Sequence, residues 1–126
     1  MAIKILLAED DLQLVDMYNR KFELEGFDVR IAEDGQKALE VLEDFKPDII
    51  LLDIMMPRVT GLEVLEAVKK KPEFADTLVV MLTNLADEKT AERIYELGAT
   101  DYIVKAEMTP LEVSSRVKEL IKFYQK

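Results

Sequence analysis

The sequence predicts an α/β fold in which five parallel strands form one doubly wound sheet, (βα)5, with helices on both faces. Short aliphatic runs of strand length alternate with amphipathic segments of helical spacing along the 126-residue chain. The central runs, such as Ile49 to Leu52, show no polar alternation, which is typical of strands buried on both faces. Strands that alternate with helices favour a parallel sheet. Because no linker or repeat interrupts the pattern, we expect a single domain over residues 1–126.

Five segments of suitable length and β-branched content are the predicted strands. They are Ile3 to Ala8, Phe27 to Ala32, Asp48 to Asp53, Thr77 to Leu82 and Asp101 to Lys105. The second segment alternates between polar and apolar residues more than the central ones do, so we expect it at an edge of the sheet.

Apolar residues at intervals of three to four positions predict helices between and after the strands. In the first, second and last helices these are Leu12, Val15, Tyr18 and Phe22; Ala38, Val41, Leu42 and Phe45; and Val113, Val117, Leu120, Ile121 and Tyr124. Gly26 is in the position of a glycine that ends the first helix. Thr109 and Pro110 fit the cap and first turn of the last one.

Composition removes several kinds of chemistry. The chain has no cysteine and no histidine, so disulfides, thiolate metal sites and a histidine base are not available. Its net charge of −9, from 26 acidic and 17 basic residues, argues against direct binding to nucleic acid. The apolar runs are too short to span a bilayer and the amino terminus has no signal pattern, so we expect a cytoplasmic protein without membrane contact.

Polar residues collect at the carboxyl ends of the predicted strands, where open parallel sheets bind their ligands. They are Glu9, Asp10, Asp53, Thr83, Asn84 and Lys105. Each also has a structural explanation: an aspartate such as Asp11 is a helix cap, Thr83 a turn residue, and Tyr102 a core aromatic with its hydroxyl at the rim. The coincidence at four strand ends favours a site.

Crowded carboxylates at these ends predict a metal. Two carboxylates about 4 Å apart repel by about 4 kcal/mol at an effective dielectric near 20, so Glu9, Asp10 and Asp53 require a proton or a cation. A hard cation, Mg²⁺ or Mn²⁺, binds carboxylates and commonly completes its shell with a substrate phosphate. An aspartate can accept a phosphoryl group as an acyl phosphate, and we expect Asp53 to be that acceptor, with Lys105 and Thr83 contacting the group.

The chain resembles a bacterial two-component response-regulator receiver domain, a flavodoxin-like fold with strand order 2-1-3-4-5. The resemblance covers essentially the whole chain. The segments that carry it are LLAEDD (Leu6 to Asp11), EDG (Glu33 to Gly35), LLDIMMP (Leu51 to Pro57), MLTN (Met81 to Asn84) and GATDYIVK (Gly98 to Lys105). It implies a signalling switch that is activated by phosphorylation and catalyses its own phosphorylation and slow dephosphorylation.

The resemblance implies a role for individual residues. Asp53 is the phosphoacceptor, and Mg²⁺ is held by Glu9, Asp10, Asp53 and the backbone carbonyl of Met55. Thr83 is the switch hydroxyl. The other implied positions are Tyr102 as the aromatic that moves inward, Lys105 as the phosphate-binding lysine, and Met56, Asn84 and Leu85 next to the phosphate.

The implied phosphodonor is a histidine kinase, a phosphotransfer protein or a small acyl phosphate such as acetyl phosphate. Phosphorylation rearranges the surface of the fourth helix, fifth strand and fifth helix, which then meets a downstream target or output domain or forms a homodimer. Asp101 and Arg116 are candidates for a charge pair in such a dimer. The residues leave open whether the chain is a stand-alone protein or one domain of a longer one.

The sequence departs from the family pattern in ways that bear on the site. Ala106 follows Lys105 where the family usually has proline, and a cis bond before alanine costs about 3 kcal/mol, so this bond is either trans or strained and the reach of Lys105 is open. Met55 and Leu85 are apolar where family members often carry groups that orient water, which predicts slow hydrolysis. Arg58 either recognises a partner or is simply solvated.

Three other classes compete with this interpretation. The first is an interaction module of the same fold that is not switched by phosphorylation. The second is a flavin or nucleotide binder, against which the acidic first loop argues. The third is a haloacid-dehalogenase-type phosphatase, whose paired Asp-x-Asp at the first strand end is missing here.

Overall fold

The computed structural model describes residues 2–84 and 87–124, and within them five parallel strands form one sheet in the order β2-β1-β3-β4-β5. The strands are β1 (Lys4–Ala8), β2 (Asp28–Ala32), β3 (Ile49–Asp53), β4 (Leu78–Thr83) and β5 (Asp101–Val104). The predicted fold class and strand order are therefore confirmed, including the edge position of β2. The strand order reverses between β1 and β3, which places a crevice at their carboxyl ends.

Five helices cover the sheet. They are α1 (Leu12–Leu24), α2 (Gly35–Asp44), α3 (Gly61–Lys69), α4 (Glu88–Glu96) and α5 (Pro110–Tyr124), with short 3₁₀ turns at Pro72–Phe74 and Lys105–Glu107. Two predicted helix ends are confirmed: Gly26 follows α1 with a φ of 80°, and Thr109 and Glu112 exchange side-chain and backbone hydrogen bonds at the start of α5. Phe45 was expected in the second helix, but it follows α2 in an extended conformation.

Several strand boundaries differ from the prediction by one residue. β5 ends at Val104, because Lys105 already belongs to a 3₁₀ turn, and β4 runs on to Thr83. Ile3 and Asp48 lie just before β1 and β3, although each still accepts a backbone hydrogen bond from the neighbouring chain segment. Apolar patterning does not distinguish such flanking residues from ladder residues, because both are bonded to the sheet.

Two apolar layers hold the helices on the sheet. One lies between the sheet and α2, α3 and α4, and the other lies between the sheet and α1 and α5. Successive residues of the strands point into opposite layers: Leu6, Ile50 and Leu52 into the first, Leu7 and Leu51 into the second. Every residue of β3 is buried, so its last residue is held on a rigid support.

No helix within residues 2–84 and 87–124 has both the length and the apolar character needed to cross a bilayer.

Candidate functional site

The carboxyl ends of β1 and β3 bring three carboxylates together. Glu9 follows β1 and is fully buried, Asp53 ends β3 and is 3% exposed, and Asp10 is exposed. One carboxylate oxygen from each of the three lies within 4.8 Å of those from the other two. Because these positions meet where the strand order reverses, the fold itself creates the acidic cluster that the sequence predicts.

Lys105 reaches into this cluster from the end of β5. Its Nζ lies 2.7 Å from Oε2 of Glu9 and 3.1 Å from Oδ2 of Asp53, and only 11% of its side chain is exposed. The peptide bonds of the described residues are all trans, the Lys105–Ala106 bond included. A trans bond leading into the 3₁₀ turn therefore suffices for Lys105 to reach both carboxylates, which answers the question raised by the missing proline.

Burial dominates the electrostatics of the two inner carboxylates. It raises the pKa of Glu9 to about 7 against the opposing contact with Lys105, and it also raises the pKa of Asp53. The contact between them favours the proton on Glu9 and the anion on Asp53. Burial lowers the pKa of Lys105, but its two carboxylate partners outweigh this and the net shift is upward. Lys105 therefore stays a cation beside the two carboxylates.

Oε2 of Glu9 is the one oxygen of the cluster left poorly satisfied. It is in ion-pair contact with Lys105, yet it is buried and has no hydrogen bond of good geometry to any described residue. Asp53 is better supported, since its Oδ1 accepts a hydrogen bond from the Met55 amide at 3.2 Å. A buried, unsatisfied carboxylate oxygen is costly, and this marks the position where a further positive group would stabilise the cluster.

An open cleft of about 470 Å³ gives access to the cluster. It is lined by Glu9, Asp10, Asp11, Leu14, Asp53, Met55, Asn84, Lys105 and Ala106. Six of these are residues that the sequence analysis singled out for the site. Asp11 also fulfils the capping alternative, because its carboxylate accepts hydrogen bonds from the backbone amides of Gln13 and Leu14 at the start of α1.

The remaining predicted positions lie around the cleft rather than in its lining. Thr83 is buried at the end of β4, and Tyr102 is half-buried on β5 with its ring 5.9 Å from that of Tyr95. The side chain of Met56 packs in the apolar layer under α2, α3 and α4, whereas that of Met55 is 74% exposed. Leu85 lies outside the described residues.

Two features of the site region were missed by sequence reasoning. Asp101 and Arg116, singled out for pairing between chains, form an ion pair within this chain at 2.7 Å, and Tyr95 donates to the same carboxylate at 3.3 Å. Gly61 lies against the backbone of Asp53, where a Cβ would come within 2.1 Å of the Asp53 carbonyl oxygen. The glycine that follows PRVT was the available signal, but its contact is set by the folded loop.

The family model for the response regulator receiver domain matches residues 5–117. The chain belongs to this family. Receiver domains of two-component systems are switches controlled by phosphorylation, and they are signalling domains rather than conventional enzymes. The predicted membership is thus confirmed, and the fold and acidic cluster described above are those of a receiver domain.

Curated relatives and solved structures agree with this assignment. The transcriptional regulatory protein CpxR of Escherichia coli (strain K12) is 37% identical over 119 residues, 94% of this chain and 49% of that protein. The alkaline phosphatase synthesis transcriptional regulatory protein PhoP of Bacillus subtilis (strain 168) is 36% identical, with 94% and 48% covered. The chain therefore spans about half the length of these relatives.

Among solved structures, the chemotaxis response regulator CheY4 of Vibrio cholerae has a TM-score of 0.88 at 26% identity, with 94% of this chain and 98% of that chain covered. The receiver domain of the Francisella response regulator 1452 has a TM-score of 0.85 at 31% identity, with 95% and 97% covered.

Proposed function

We propose that this receiver domain is switched by phosphorylation of Asp53. The phosphoryl group comes from a histidine kinase, a phosphotransfer protein or a small acyl phosphate. The observation that carries the proposal is the position of Lys105, whose ammonium contacts both Asp53 and Glu9 while Asp53 faces an open cleft. A buried cation beside a carboxylate at the end of a rigid strand suits the transfer of an anionic group to that carboxylate.

The transfer itself requires little covalent work from the protein. An oxygen of the Asp53 carboxylate attacks the phosphorus of the donor, and an acyl phosphate bond forms while the bond from phosphorus to the donor nitrogen or oxygen breaks. The donor leaves with the electron pair of that bond, and a histidine donor takes up a proton from solvent. Lys105 exchanges a carboxylate partner for a phosphoryl oxygen, so its charge stays paired throughout.

The residues present fit a divalent cation. Three carboxylates offer hard oxygen donors within 4.8 Å of one another, and Oε2 of Glu9 is a buried oxygen whose described partner is the shared ammonium of Lys105. Glu9, Asp10, Asp53 and the backbone carbonyl of Met55 would hold Mg²⁺ or Mn²⁺. When bound, the ion supplies positive charge that neutralises the phosphoryl oxygens. Asn84 and Met55 line the same cleft and border the incoming group.

The switch itself acts through the residues around the cleft. The hydroxyl of Thr83 turns toward the phosphoryl group, the ring of Tyr102 follows inward, and the surface formed by α4, β5 and α5 changes. Contacts that exist only with the phosphoryl group supply the differential free energy that such a shift requires. The shifted surface meets a downstream target, an output domain or a second copy of the chain.

The curated relatives are named transcriptional regulators, and this suggests an output domain that regulates transcription in a longer protein. The receiver domain, with a net charge of −9, does not contact nucleic acid itself. It works in the cytoplasm, and it catalyses its own phosphorylation and slow dephosphorylation.

Incubation with acetyl phosphate and Mg²⁺ tests the proposal. Mass spectrometry of the intact protein should show the addition of one phosphoryl group, and Asp53→Asn or an excess of EDTA should abolish it. An unchanged mass of the parent protein would instead favour the interaction module that keeps the fold without phosphorylation. Addition of the same group to Asp53→Asn would place the acceptor at another residue.

A further inference from the structure

The loop between β3 and α3, residues 54–60, is pressed against the first residue of α2. A Cβ built on Gly35 would lie 1.9 Å from the carbonyl oxygen of Val59 and 2.6 Å from its carbonyl carbon. Both neighbours are backbone atoms, so no side-chain rotation relieves the contact. The absence of a side chain at Gly35 therefore allows the start of α2 and the loop to meet at this distance.

The same loop is closed on the backbone of Asp53. The amide of Gly61 donates to the carbonyl oxygen of Ile54 at 2.9 Å, and a Cβ on Gly61 would lie 2.1 Å from the carbonyl oxygen of Asp53. The two ends of the loop therefore lie side by side. Val59 is two residues from Gly61, which contacts the backbone of Asp53, so a displacement of Val59 is expected to displace Asp53 as well.

Met55 is the residue of this loop that matters for the cluster. Its amide donates to Oδ1 of Asp53 at 3.2 Å and so orients the carboxylate, and its carbonyl is the backbone ligand in the proposed metal site. Packing rather than charge holds the loop on α2. The only ion pair identified across this contact among the described residues joins Arg58 and Asp34 at 4.0 Å, and 74% of the Arg58 side chain is exposed, so it contributes little.

Arg58 also indicates that the surroundings impose the loop conformation. It has a φ of 69°, a value that non-glycine residues adopt at a cost. A backbone in this region persists when the contacts on either side determine it. Val59, which follows Arg58, contacts Gly35, and the contact of Gly61 with Asp53 holds the two ends of the loop together.

We propose that Gly35 is a positioning residue for the metal and phosphoryl site, because its contact with Val59 holds the loop that orients Met55. This inference rests on the proposed function, since it concerns the site at which the cation and the phosphoryl group bind. The start of α2 contributes no carboxylate to the cluster, but in this proposal it determines the position of the Met55 backbone beside the cluster.

Gly35→Ala tests the inference without altering any charge. We expect Mg²⁺ affinity, measured by isothermal titration calorimetry well below the unfolding temperature, to fall about tenfold, as for residues that orient metal ligands. The matched control is Gly26→Ala, which strains a backbone with a φ of 80° but places its Cβ with nothing within 4 Å. It should lose stability yet keep the Mg²⁺ affinity of the parent, which separates positioning from a general loss of stability.

Val59→Gly changes the other residue of the contact between Gly35 and Val59. It replaces Gly35→Ala as the test if that variant does not fold. A glycine at residue 59 gives the loop more conformational freedom, which is lost when the ion binds. We therefore expect the Mg²⁺ affinity to fall about threefold. Parental Mg²⁺ affinity in the folded variants would overturn the inference and leave the proposed function intact. A parent protein that does not bind Mg²⁺ would overturn both.

Discussion

At the scale of single residues, Glu9 shows how burial changes the chemistry of an acidic side chain. It is fully buried, its Oε2 has no well-directed hydrogen bond to a described residue, and burial raises its pKa to about 7. Lys105 offsets only part of the free energy of placing this charge inside the protein. Glu9 therefore carries a substantial proton population at neutral pH when no cation is bound.

This raised pKa makes the stability of the metal-free protein depend on pH. The pKa of Glu9 rises from its ordinary value of 4.5 to about 7 on folding, so its stabilising contribution is complete below pH 4.5 and is lost as the pH rises through about 7. In EDTA, the free energy of unfolding of the parent relative to Glu9→Gln should fall on the order of 2 kcal/mol between about pH 5 and pH 8. Urea unfolding across this range measures it, and a difference that does not vary with pH would contradict it.

Asp53 gives a second prediction at this scale. Without metal and above the pKa of Glu9, the two inner carboxylates share one ammonium, so Asp53→Asn leaves Glu9 and Lys105 as a balanced pair. Its melting temperature in EDTA should exceed that of the parent by about 4 °C, the shift for roughly 1 kcal/mol in a domain of this size. Mg²⁺ at about 100 times its Kd should add about 2.7 kcal/mol to the stability of the parent and less to that of the variant. Equal responses to Mg²⁺ would argue against a shared metal site.

Met55 and Leu85 bear on the lifetime of the phosphorylated state. The Met55 side chain lines the cleft and offers no group to orient an attacking water. We expect the double variant Met55→Asn, Leu85→Glu to lose the phosphoryl group about tenfold faster than the parent, because a polar group can position or deprotonate that water. The decay of the phosphorylated mass after removal of the donor measures the rate. Equal decay of the two proteins would show that these positions do not limit hydrolysis.

At the scale of secondary-structure elements, Asp101 joins α4, β5 and α5. It accepts hydrogen bonds from Tyr95 of α4 at 3.3 Å and from Arg116 of α5 at 2.7 Å. The ring of Tyr95 also lies edge-on against that of Tyr102, with centroids 5.9 Å apart. In the structure, contacts within one chain thus hold α4, β5 and α5 together at the proposed switch surface. A dimer that used Asp101 and Arg116 would first have to break the ion pair between these two residues.

This arrangement predicts that Tyr95 restrains the switch. Tyr95→Ala removes the ring against which Tyr102 rests, so the activated arrangement should be more populated before phosphorylation. We expect phosphorylation by acetyl phosphate to become about threefold faster, since the donor reacts with a larger competent fraction. Tyr124→Ala, which removes another exposed ring from the end of α5, is the control and should react at the parental rate. A parental rate for Tyr95→Ala would mean that the contact does not restrain Tyr102.

At the scale of the whole molecule, the division of the chain into strands and helices was predictable because burial has a different period in each. β3 is buried throughout and is a continuous aliphatic run, whereas the residues Asp28 to Ile31 of the edge strand β2 alternate between polar and apolar types, although their burial does not alternate. The strand order came from the family resemblance. The exact strand ends were less predictable, because Lys105 directly follows the aromatic and β-branched residues of β5 in sequence but already belongs to a 3₁₀ turn in the structure.

The candidate site was predictable to the same degree and for the same reason. The carboxyl ends of parallel strands lie at the same edge of the sheet, so the residues that follow adjacent strands are expected to lie close together. Glu9, Asp53 and Lys105 meet as that reasoning requires. Asp101 and Arg116, candidates for a charge pair between chains, form an ion pair within this chain, and their pairing between chains stays a prediction. Sequence spacing does not indicate which partner a charged side chain contacts.

The order of residues along this chain is thus enough to specify an α/β sheet, the chemical types at its functional edge and the family to which it belongs. Three properties needed the folded molecule: the reach of Lys105 without a proline, the pKa of Glu9, and the contact between Gly35 and Val59. Each depends on distances between segments far apart in sequence and on the water that packing removes. Local patterns do not encode those quantities, because every neighbouring element contributes to them at once.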